Sequence, residues 1–224
     1  MRKRSRCTVF ILTSVFCLLP VILALALYND LPERIVMQWD FEGNPNWDAP
    51  KAIGAFAMPL CLTAIHIITL LFLYNDPKRR NHPKALRVIV EWLTPFLSLT
   101  LTPIILFSAM GVKFPIVMMS MFFVGLIFIL SGNYLPKCRH NYVMGIRLPW
   151  TLNDVDNWNK THRMAGVLWI IGGIVFISIS FIPFSQLYAI VIILSLITII
   201  TCTPILYSYS IYKKSGRRIQ KEIV

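Results

Sequence analysis

The sequence predicts an all-α integral membrane protein with about six transmembrane helices and with its N and C termini in the cytoplasm. Of the 224 residues, 56% are hydrophobic and 14% are charged, a balance typical of proteins that face lipid rather than of soluble domains. The hydrophobic residues also occur in blocks of about 20, which is the helix length that crosses a bilayer. Composition and block length therefore point to the same fold class.

Six hydrophobic blocks form the predicted spans. They cover residues 7–28, 52–74, 88–110, 115–135, 164–182 and 187–209. The first block follows four basic residues and so also resembles a signal peptide, but it is longer than the apolar core of most signals. We therefore interpret it as the first span. The connections at 111–114 and 183–186 are short enough to make tight helical hairpins.

The basic residues predict the orientation of the spans. Nineteen lysines and arginines lie in the N-terminal tail, in segments 75–87 and 136–163 and in the C-terminal tail, whereas the other connections hold only Arg34, Lys51 and Lys113. By the positive-inside rule, the basic segments and both termini are cytoplasmic. The net charge of +12 thus reflects orientation and contact with anionic membrane lipids, and no direct nucleic-acid partner is expected.

The predicted outer loop, residues 29–51, carries five acidic and two basic residues in an otherwise basic chain. Residues 34–41 suit a short strand, and Gly43-Asn44-Pro45-Asn46 has strong turn chemistry. Acidic and aromatic side chains together suit capture of a cationic or amphipathic peptide. The candidate peptide-binding residues are Trp39, Asp40, Phe41, Glu42, Asn44 and Trp47. The alternative is that the aromatic rings form an interfacial belt and the acids keep the loop in water.

The predicted inner segment, residues 132–166, is dense in Asn, Gly, Pro, Trp and His. Asn153 or Asp154 is expected to cap a helix that lies along the headgroups before the fifth span and carries Val155, Trp158 and His162 on one face. Residues 145–150 predict a turn followed by an extended piece, because a residue before proline avoids the α region.

Catalytic, metal and redox sites are not predicted. The chain has no zinc-protease, nucleophile-elbow or phosphate-loop motif, and the spacing of His140, His162, Cys138, Asp154 and Asp156 fits no common zinc pattern. The five cysteines contain no Cys-x-x-Cys pair and are interpreted as packing residues. We therefore expect a protein that is not an enzyme and needs no cofactor or metal.

An ion or small-solute transporter is the alternative function. Its support would be ionisable side chains inside spans, which are costly there and usually functional. Only Glu91 and His66 qualify. Glu91 is expected to pair with Arg87 four residues earlier, and His66 is expected to bond to a neighbouring hydroxyl rather than to relay protons.

The two polar segments resemble the SdpI-like family of bacterial membrane immunity proteins. In the outer loop the resemblance is carried by Leu31-Pro32, Trp39-Asp40 and Gly43-Asn44-Pro45-Asn46-Trp47. In the inner segment it is carried by Gly132-Asn133-Tyr134, Pro136-Lys137, Asn141, Gly145-Ile146-Arg147, Pro149-Trp150-Thr151-Leu152, Trp158, Thr161-His162-Arg163 and Gly166. With the six spans, the resemblance covers nearly the whole chain.

The resemblance implies a multi-pass protein of the bacterial plasma membrane that protects its producer from a secreted toxin peptide. It further implies signalling, in which the toxin-loaded protein holds a cytoplasmic transcriptional repressor at the membrane. The implied organisation is an N-terminal module at 1–74, central helices at 75–131 and an SdpI-like module at 132–224. The inner-face candidates for signalling are Asn133, Pro136, Asn141, Gly145, Arg147, Pro149, Trp150, Trp158, Thr161, His162 and Arg163.

Overall fold

The structure, a computed structural model, describes residues 3–182 and 186–223. In chain order it contains α1 (Lys3–Leu27), β1 (Arg34–Trp39), β2 (Pro45–Pro50), α2 (Lys51–Asn75), α3 (Lys84–Ala109), α4 (Ile116–Tyr134), α5 (Pro149–Asn153), α6 (Val155–Ile179) and α7 (Gln186–Ile223). Among the described residues, six helices are long and apolar enough to cross a membrane, namely all but the short α5. The predicted fold class is confirmed, while the cytoplasmic placement of the termini stays a prediction.

Helix α6 begins earlier than the sequence predicted for the fifth span. The carboxylate of Asp154 accepts hydrogen bonds from the backbone N–H groups of Asp156 at 2.9 Å and Asn157 at 3.1 Å, so Asp154 rather than Asn153 is the N-cap. The helix then continues without a break to Ile179. The expected separation between a headgroup helix and a span is therefore absent, because a capped helix has no reason to end while its amides stay paired.

The first of the two predicted tight connections, between α3 and α4, lies within the described residues. Residues 110–115 join α3 to α4 directly, and Gly111 takes a positive φ of 93° there, which glycine adopts without steric cost. The predicted hairpin at 183–186 falls mainly on residues 183–185, which lie outside the described residues.

The chain divides into two compact units. The first comprises Met1–Asn75 and Arg87–Val117, and the second comprises Asp76–Leu86 and Met118–Val224. The connection between α2 and α3 thus belongs to the second unit, although it is flanked by helices of the first. The three-module division drawn from the resemblance is a different partition and stays a prediction.

In the first unit, the two strands pack on the ends of helices. The buried core consists of Ala24, Leu31, Ile35, Ala55, Ile105 and Leu106. Ile35 of β1 lies on α2 at Gly54, where any larger residue would overlap its side chain. Deeper between the helices, the hydroxyl of Ser98 donates to the Cys17 carbonyl at 2.7 Å. Ile35 therefore anchors β1 to α2 by hydrophobic contact.

In the second unit, glycines bring α4 and α6 into close antiparallel contact. A Cβ on Gly125 would lie 2.6 Å from the carbonyl oxygen of Gly173, and one on Gly132 would lie 2.7 Å from that of Gly166. Such small residues let backbones approach where lipid offers no hydrophobic drive for helix association. This contact places the start of α6 beside the end of α4, and so defines the two ends of the 135–154 segment.

Candidate functional sites

The acidic loop folds as a β-hairpin whose turn is built by Asp40. Its carboxylate accepts hydrogen bonds from the backbone N–H of Glu42 at 2.9 Å and of Asn44 at 2.8 Å, and from the Asn44 side-chain amide at 3.2 Å. These bonds, first of all that from the Asn44 backbone, lower the pKa of Asp40. Gly43 completes the turn with a φ of 86°. Two of the predicted binding residues, Asp40 and Asn44, are thus the structural centre of the turn.

Strand β1 confirms the extended stretch predicted near residues 34–41, but sequence reasoning missed β2. Its sequence, PNWDAP, begins and ends with proline and contains Asn and Asp, all of which are depleted in strands. Its strand conformation comes from antiparallel pairing with β1, for example Ile35 opposite Ala49. Because β2 depends on its pairing with β1, its own residues do not indicate a strand.

The predicted aromatic residues of the hairpin differ in accessibility. Trp39 packs against the core of the first unit, and Phe41 is half-buried. Trp47 has 55% of its surface exposed, and Glu42 beside the turn is also exposed. The side chains of Trp47 and Glu42 are therefore available to a ligand, whereas Trp39 acts as an anchor of the hairpin.

The two basic residues of the loop are already engaged. The Arg34 guanidinium donates to the Asp48 carboxylate across the strands, with 2.8 Å between Nε and Oδ1, and this bond lowers the pKa of Asp48. The Lys51 ammonium lies 4.8 Å from the centre of the Tyr28 ring. Glu33 and Glu42 are exposed, and neither forms an ion pair within the described part of the chain. The hairpin therefore presents uncompensated negative charge.

The segment after α4 folds around the buried side chain of Asn141. Its oxygen accepts from the N–H groups of Val143 at 2.9 Å and Met144 at 2.6 Å, while its amide donates to the Arg139 carbonyl at 2.8 Å. The same amide lies 3.1 Å from the Cys138 sulfur. Burial raises the pKa of the Cys138 thiol to about 11. The Asn141 side chain thus pairs backbone N–H and C=O groups of this loop that a helix or strand would otherwise pair.

Trp158 and His162 form the buried base on which that loop rests. Their rings stack at 4.0 Å, and the Trp158 indole N–H donates to the Cys138 carbonyl at 2.8 Å. Nδ1 of His162 donates to the Trp158 carbonyl at 2.7 Å, and Nε2 accepts from the N–H of Ile146 at 2.9 Å. Both ring nitrogens are therefore used in a neutral imidazole. The predicted shared face of Trp158 and His162 is confirmed, but Val155 is exposed.

Helix α5 attaches the loop to α7. The Trp150 indole N–H donates to the Ser208 hydroxyl at 2.9 Å, and its ring packs edge-on against Tyr209. The Asn157 side-chain amide of α6 also reaches α7, donating to the Ser208 carbonyl at 3.0 Å, and Thr161 donates to the Asn157 oxygen at 3.0 Å. Sequence reasoning did not select Asn157, although it is fully buried.

The predicted motif residues separate into two groups. One group is buried and hydrogen-bonded and consists of Asn141, Trp158, Thr161 and His162. The other group is exposed to solvent or lipid and consists of Asn133, Pro136, Gly145, Arg147, Pro149 and Arg163. Trp150 is intermediate in exposure. Arg147 donates to the Tyr142 carbonyl at 2.8 Å. The predicted extended piece is shorter than expected: it ends at Leu148, and α5 begins at Pro149 because proline is well suited to the first turn of a helix.

Sequence reasoning missed the connection between α2 and α3 as part of this site. Buried Asp76 bonds His82 at 2.7 Å through Oδ2 and accepts from the N–H of Tyr142 at 3.4 Å. The Lys78 ammonium donates to Nδ1 of His140, and the Asn81 amide donates to the His140 carbonyl, both at 2.7 Å. In the sequence, this role is indicated only by Asp76, the one acidic residue in the strongly basic segment 75–87. These contacts place the second and fourth connections on the same side of the helices.

The ionisable residues inside the spans have the partners expected for structural roles. Glu91 accepts a hydrogen bond from the Tyr74 hydroxyl at 2.9 Å and lies 3.7 Å from the Arg87 guanidinium. Nε2 of His66 lies 2.9 Å from the Thr13 hydroxyl, as predicted. No group of three His, Cys, Asp or Glu side chains in the described ranges is placed to hold a metal ion.

Comparison with known proteins finds similarities that cover both polar segments. A model of the SdpI/YfhL protein family matches residues 137–208, and a model of a domain of unknown function (DUF1648) matches residues 15–63. The chain is 28% identical over 205 residues to "Immunity protein SdpI" of Bacillus subtilis (strain 168), covering 91% of this chain and 96% of that protein. No solved structure matches the chain significantly.

Proposed function

Because the chain belongs to the SdpI-like family of multi-pass bacterial membrane proteins, we propose that it is an immunity protein that protects the cell from a secreted antimicrobial peptide. The observation that carries this proposal is the similarity to an immunity protein along nearly the full length of both chains. The role is one of binding rather than catalysis.

The proposed contact surface for the peptide is the hairpin. Secreted antimicrobial peptides are commonly cationic or amphipathic, and the hairpin exposes the free carboxylate of Glu42 and the ring of Trp47. Trp39, Asp40 and Asn44 support the contact indirectly, since they hold the hairpin and its turn in place. Under the predicted orientation, this surface faces the outside, where a secreted peptide arrives.

Resistance of a toxin-sensitive bacterium tests the proposal. Cells that express the chain are exposed to a panel of secreted antimicrobial peptides, and survival against at least one of them is expected. Glu42→Gln and Trp47→Ala should each reduce that protection, whereas Asp156→Asn, which neutralises an exposed acid on α6, should not. If wild-type cells survive no better than empty-vector cells on any peptide of the panel, the immunity proposal is wrong.

Asp40 should act through the turn rather than through its charge. Asp40→Ala removes the acceptor of two backbone N–H groups and should lower resistance together with the protease resistance of the hairpin. Asp40→Asn keeps an acceptor oxygen and should retain most of both. Loss of protection in Asp40→Asn with an intact hairpin would instead indicate direct contact between this carboxylate and the peptide.

Signalling is a separate, finer proposal. A transcriptional repressor in the cytoplasm would bind the segment 132–166, where Arg147 and Arg163 are exposed above the buried Trp158–His162 base. Since this segment and the hairpin are joined through an odd number of predicted spans, they would face opposite sides of the membrane. Amide exchange should then change in residues 138–148 when a protective peptide is added outside, and unchanged exchange at a saturating dose would contradict signalling. The transporter alternative stays a prediction.

A further inference from the structure

The hairpin has an open backbone edge along β1. Pro50 has no N–H, and the N–H of Lys51 donates to the Glu33 carbonyl at 2.8 Å, so Arg34 and Pro50 form a pair without mutual hydrogen bonds. Alternation along an antiparallel ladder then makes Val36 opposite Asp48 a second such pair. The N–H and C=O groups of Arg34 and Val36 therefore point away from β2.

The two edges of the hairpin are not equivalent. Strand β2 has proline at both ends, Pro45 and Pro50, and proline offers no donor to an added strand. Strand β1, Arg34–Trp39, contains no proline, and among the described strands its one partner is β2. Helix α2 supports the face of β1 at Gly54 rather than its edge. A further strand would thus pair with β1 and not with β2.

Charge indicates what kind of chain would pair there. Exposed Glu33 directly precedes β1, and exposed Glu42 lies in the turn that follows it, so a free carboxylate stands at each end of the edge. The other strand's acid, Asp48, is neutralised by Arg34. Strand β1 has six residues, or roughly 20 Å of extended chain, and its pairing with β2 is regular from Arg34 to Val36 and shifts in register beyond Val36. Its complement is a short extended peptide segment with a cationic side chain near each end.

We propose that the hairpin captures a cationic peptide by strand addition, with an extended segment of the peptide as a third strand beside β1. The inference rests on the proposed immunity function and adds to it the backbone mode of recognition. Main-chain hydrogen bonds to Arg34 and Val36 supply affinity, and Glu33 and Glu42 select for positive charge. Such recognition depends weakly on the peptide's exact side chains, because every residue except proline carries the same backbone groups.

A pair of substitutions at Val36 separates backbone from side-chain recognition in the resistance assay. Val36→Pro removes the outward N–H while leaving the ladder bonds of the hairpin, and it should abolish protection. Val36→Ala keeps the N–H and should protect like wild type. Equal protection by both variants overturns strand addition but leaves immunity standing, whereas absence of protection by wild type is the failure of the proposed function itself.

The affinity of the wild-type chain for a peptide tests the same proposal if Val36→Pro does not fold. The probe is a fluorescent heptapeptide of alternating Lys and Val, added to the wild-type chain in nanodiscs of zwitterionic phosphatidylcholine. N-methylation of every backbone amide of the peptide, which leaves no N–H on either edge of its strand, should weaken binding about tenfold, as expected for the loss of one or two hydrogen bonds. Equal affinity for both peptides overturns the proposal. A dimer of the chain that is lost in Val36→Pro also overturns it, since a second copy would then occupy the edge.

Discussion

Gly145 and His162 show how strongly a single position of the motif is constrained. The backbone of Gly145 has a φ of 104°, a conformation that L residues rarely adopt. A side chain there would also overlap Nε2 of His162, the atom that accepts the N–H of Ile146. The glycine is therefore required twice, once for its backbone conformation and once for the space that the imidazole occupies.

Substitution of Gly145 by alanine should destabilise the protein by about 3 kcal/mol, because backbone strain and displacement of His162 act together. Gly43→Ala is the matched control, since Gly43 also has a positive φ but has no atom within 4 Å of an added Cβ, and should cost about 1 kcal/mol. Unfolding in mixed detergent micelles with increasing dodecyl sulfate measures both. Equal costs would show that His162 moves aside freely.

Cys138 should be an unreactive thiol until high pH. Burial raises its pKa from an ordinary 9.0 to about 11, so at pH 8 about one thiol in a thousand is ionised. Iodoacetamide labelling should stay slow up to about pH 10, whereas exposed Arg139→Cys in a Cys138→Ser background should react from about pH 8. Since the unfolded thiol ionises near pH 9.0 and the folded one near 11, stability should fall as pH rises above 9. Fast labelling of Cys138 at pH 8 would contradict its burial.

At the scale of elements, short pieces of structure take their shape from neighbours rather than from propensity. Strand β2 exists because β1 pairs with it, and α5 is a five-residue helix attached to α7 through the bond of Trp150 to Ser208. Neither would be stable alone, since isolated short helices and single strands are marginal in water. The long helices, by contrast, follow directly from hydrophobic length.

The contact between α4 and α6 depends on its glycines. Gly125→Val would push the helices apart at the Gly173 carbonyl, and we expect a loss of about 1–3 kcal/mol from overpacking. Val124→Ile adds one methylene at the neighbouring exposed position and should be nearly neutral. The same dodecyl sulfate titration compares the two variants. A neutral Gly125→Val would mean that the helices have space between them.

At the scale of the whole molecule, six spans and the distribution of positive charge predict the location of each connection. The contacts of Asp76 and Lys78 with residues 140–142 agree with this alternation, because the second and fourth connections must share a side. The charge rule predicts that this shared side is the cytoplasmic one, because both connections are rich in Lys and Arg.

Labelling of intact cells with a membrane-impermeant maleimide tests the orientation. Glu42→Cys, in the hairpin, should be labelled on intact cells, whereas Arg139→Cys should be labelled only after the cells are disrupted. Both positions are exposed, so the difference reports location and not burial. The opposite pattern would place the termini outside and the hairpin in the cytoplasm.

The sequence by itself determined the membrane class, the helical spans, the acidic character of the loop and the presence of a turn beside Gly43, because hydropathy, charge and turn chemistry act over neighbouring residues. The bounds of that turn were wrong: it lies at residues 40–44, and Pro45 and Asn46, predicted as part of it, begin β2. It also selected Trp158 and His162 correctly as one face of a helix. Only the tertiary structure decided that Trp39 anchors while Trp47 is exposed, that β2 pairs with β1, and that Asp76 bonds the backbone of Tyr142, 66 residues away. Contacts of that kind depend on how helices pack, and the local pattern of residues does not contain that information.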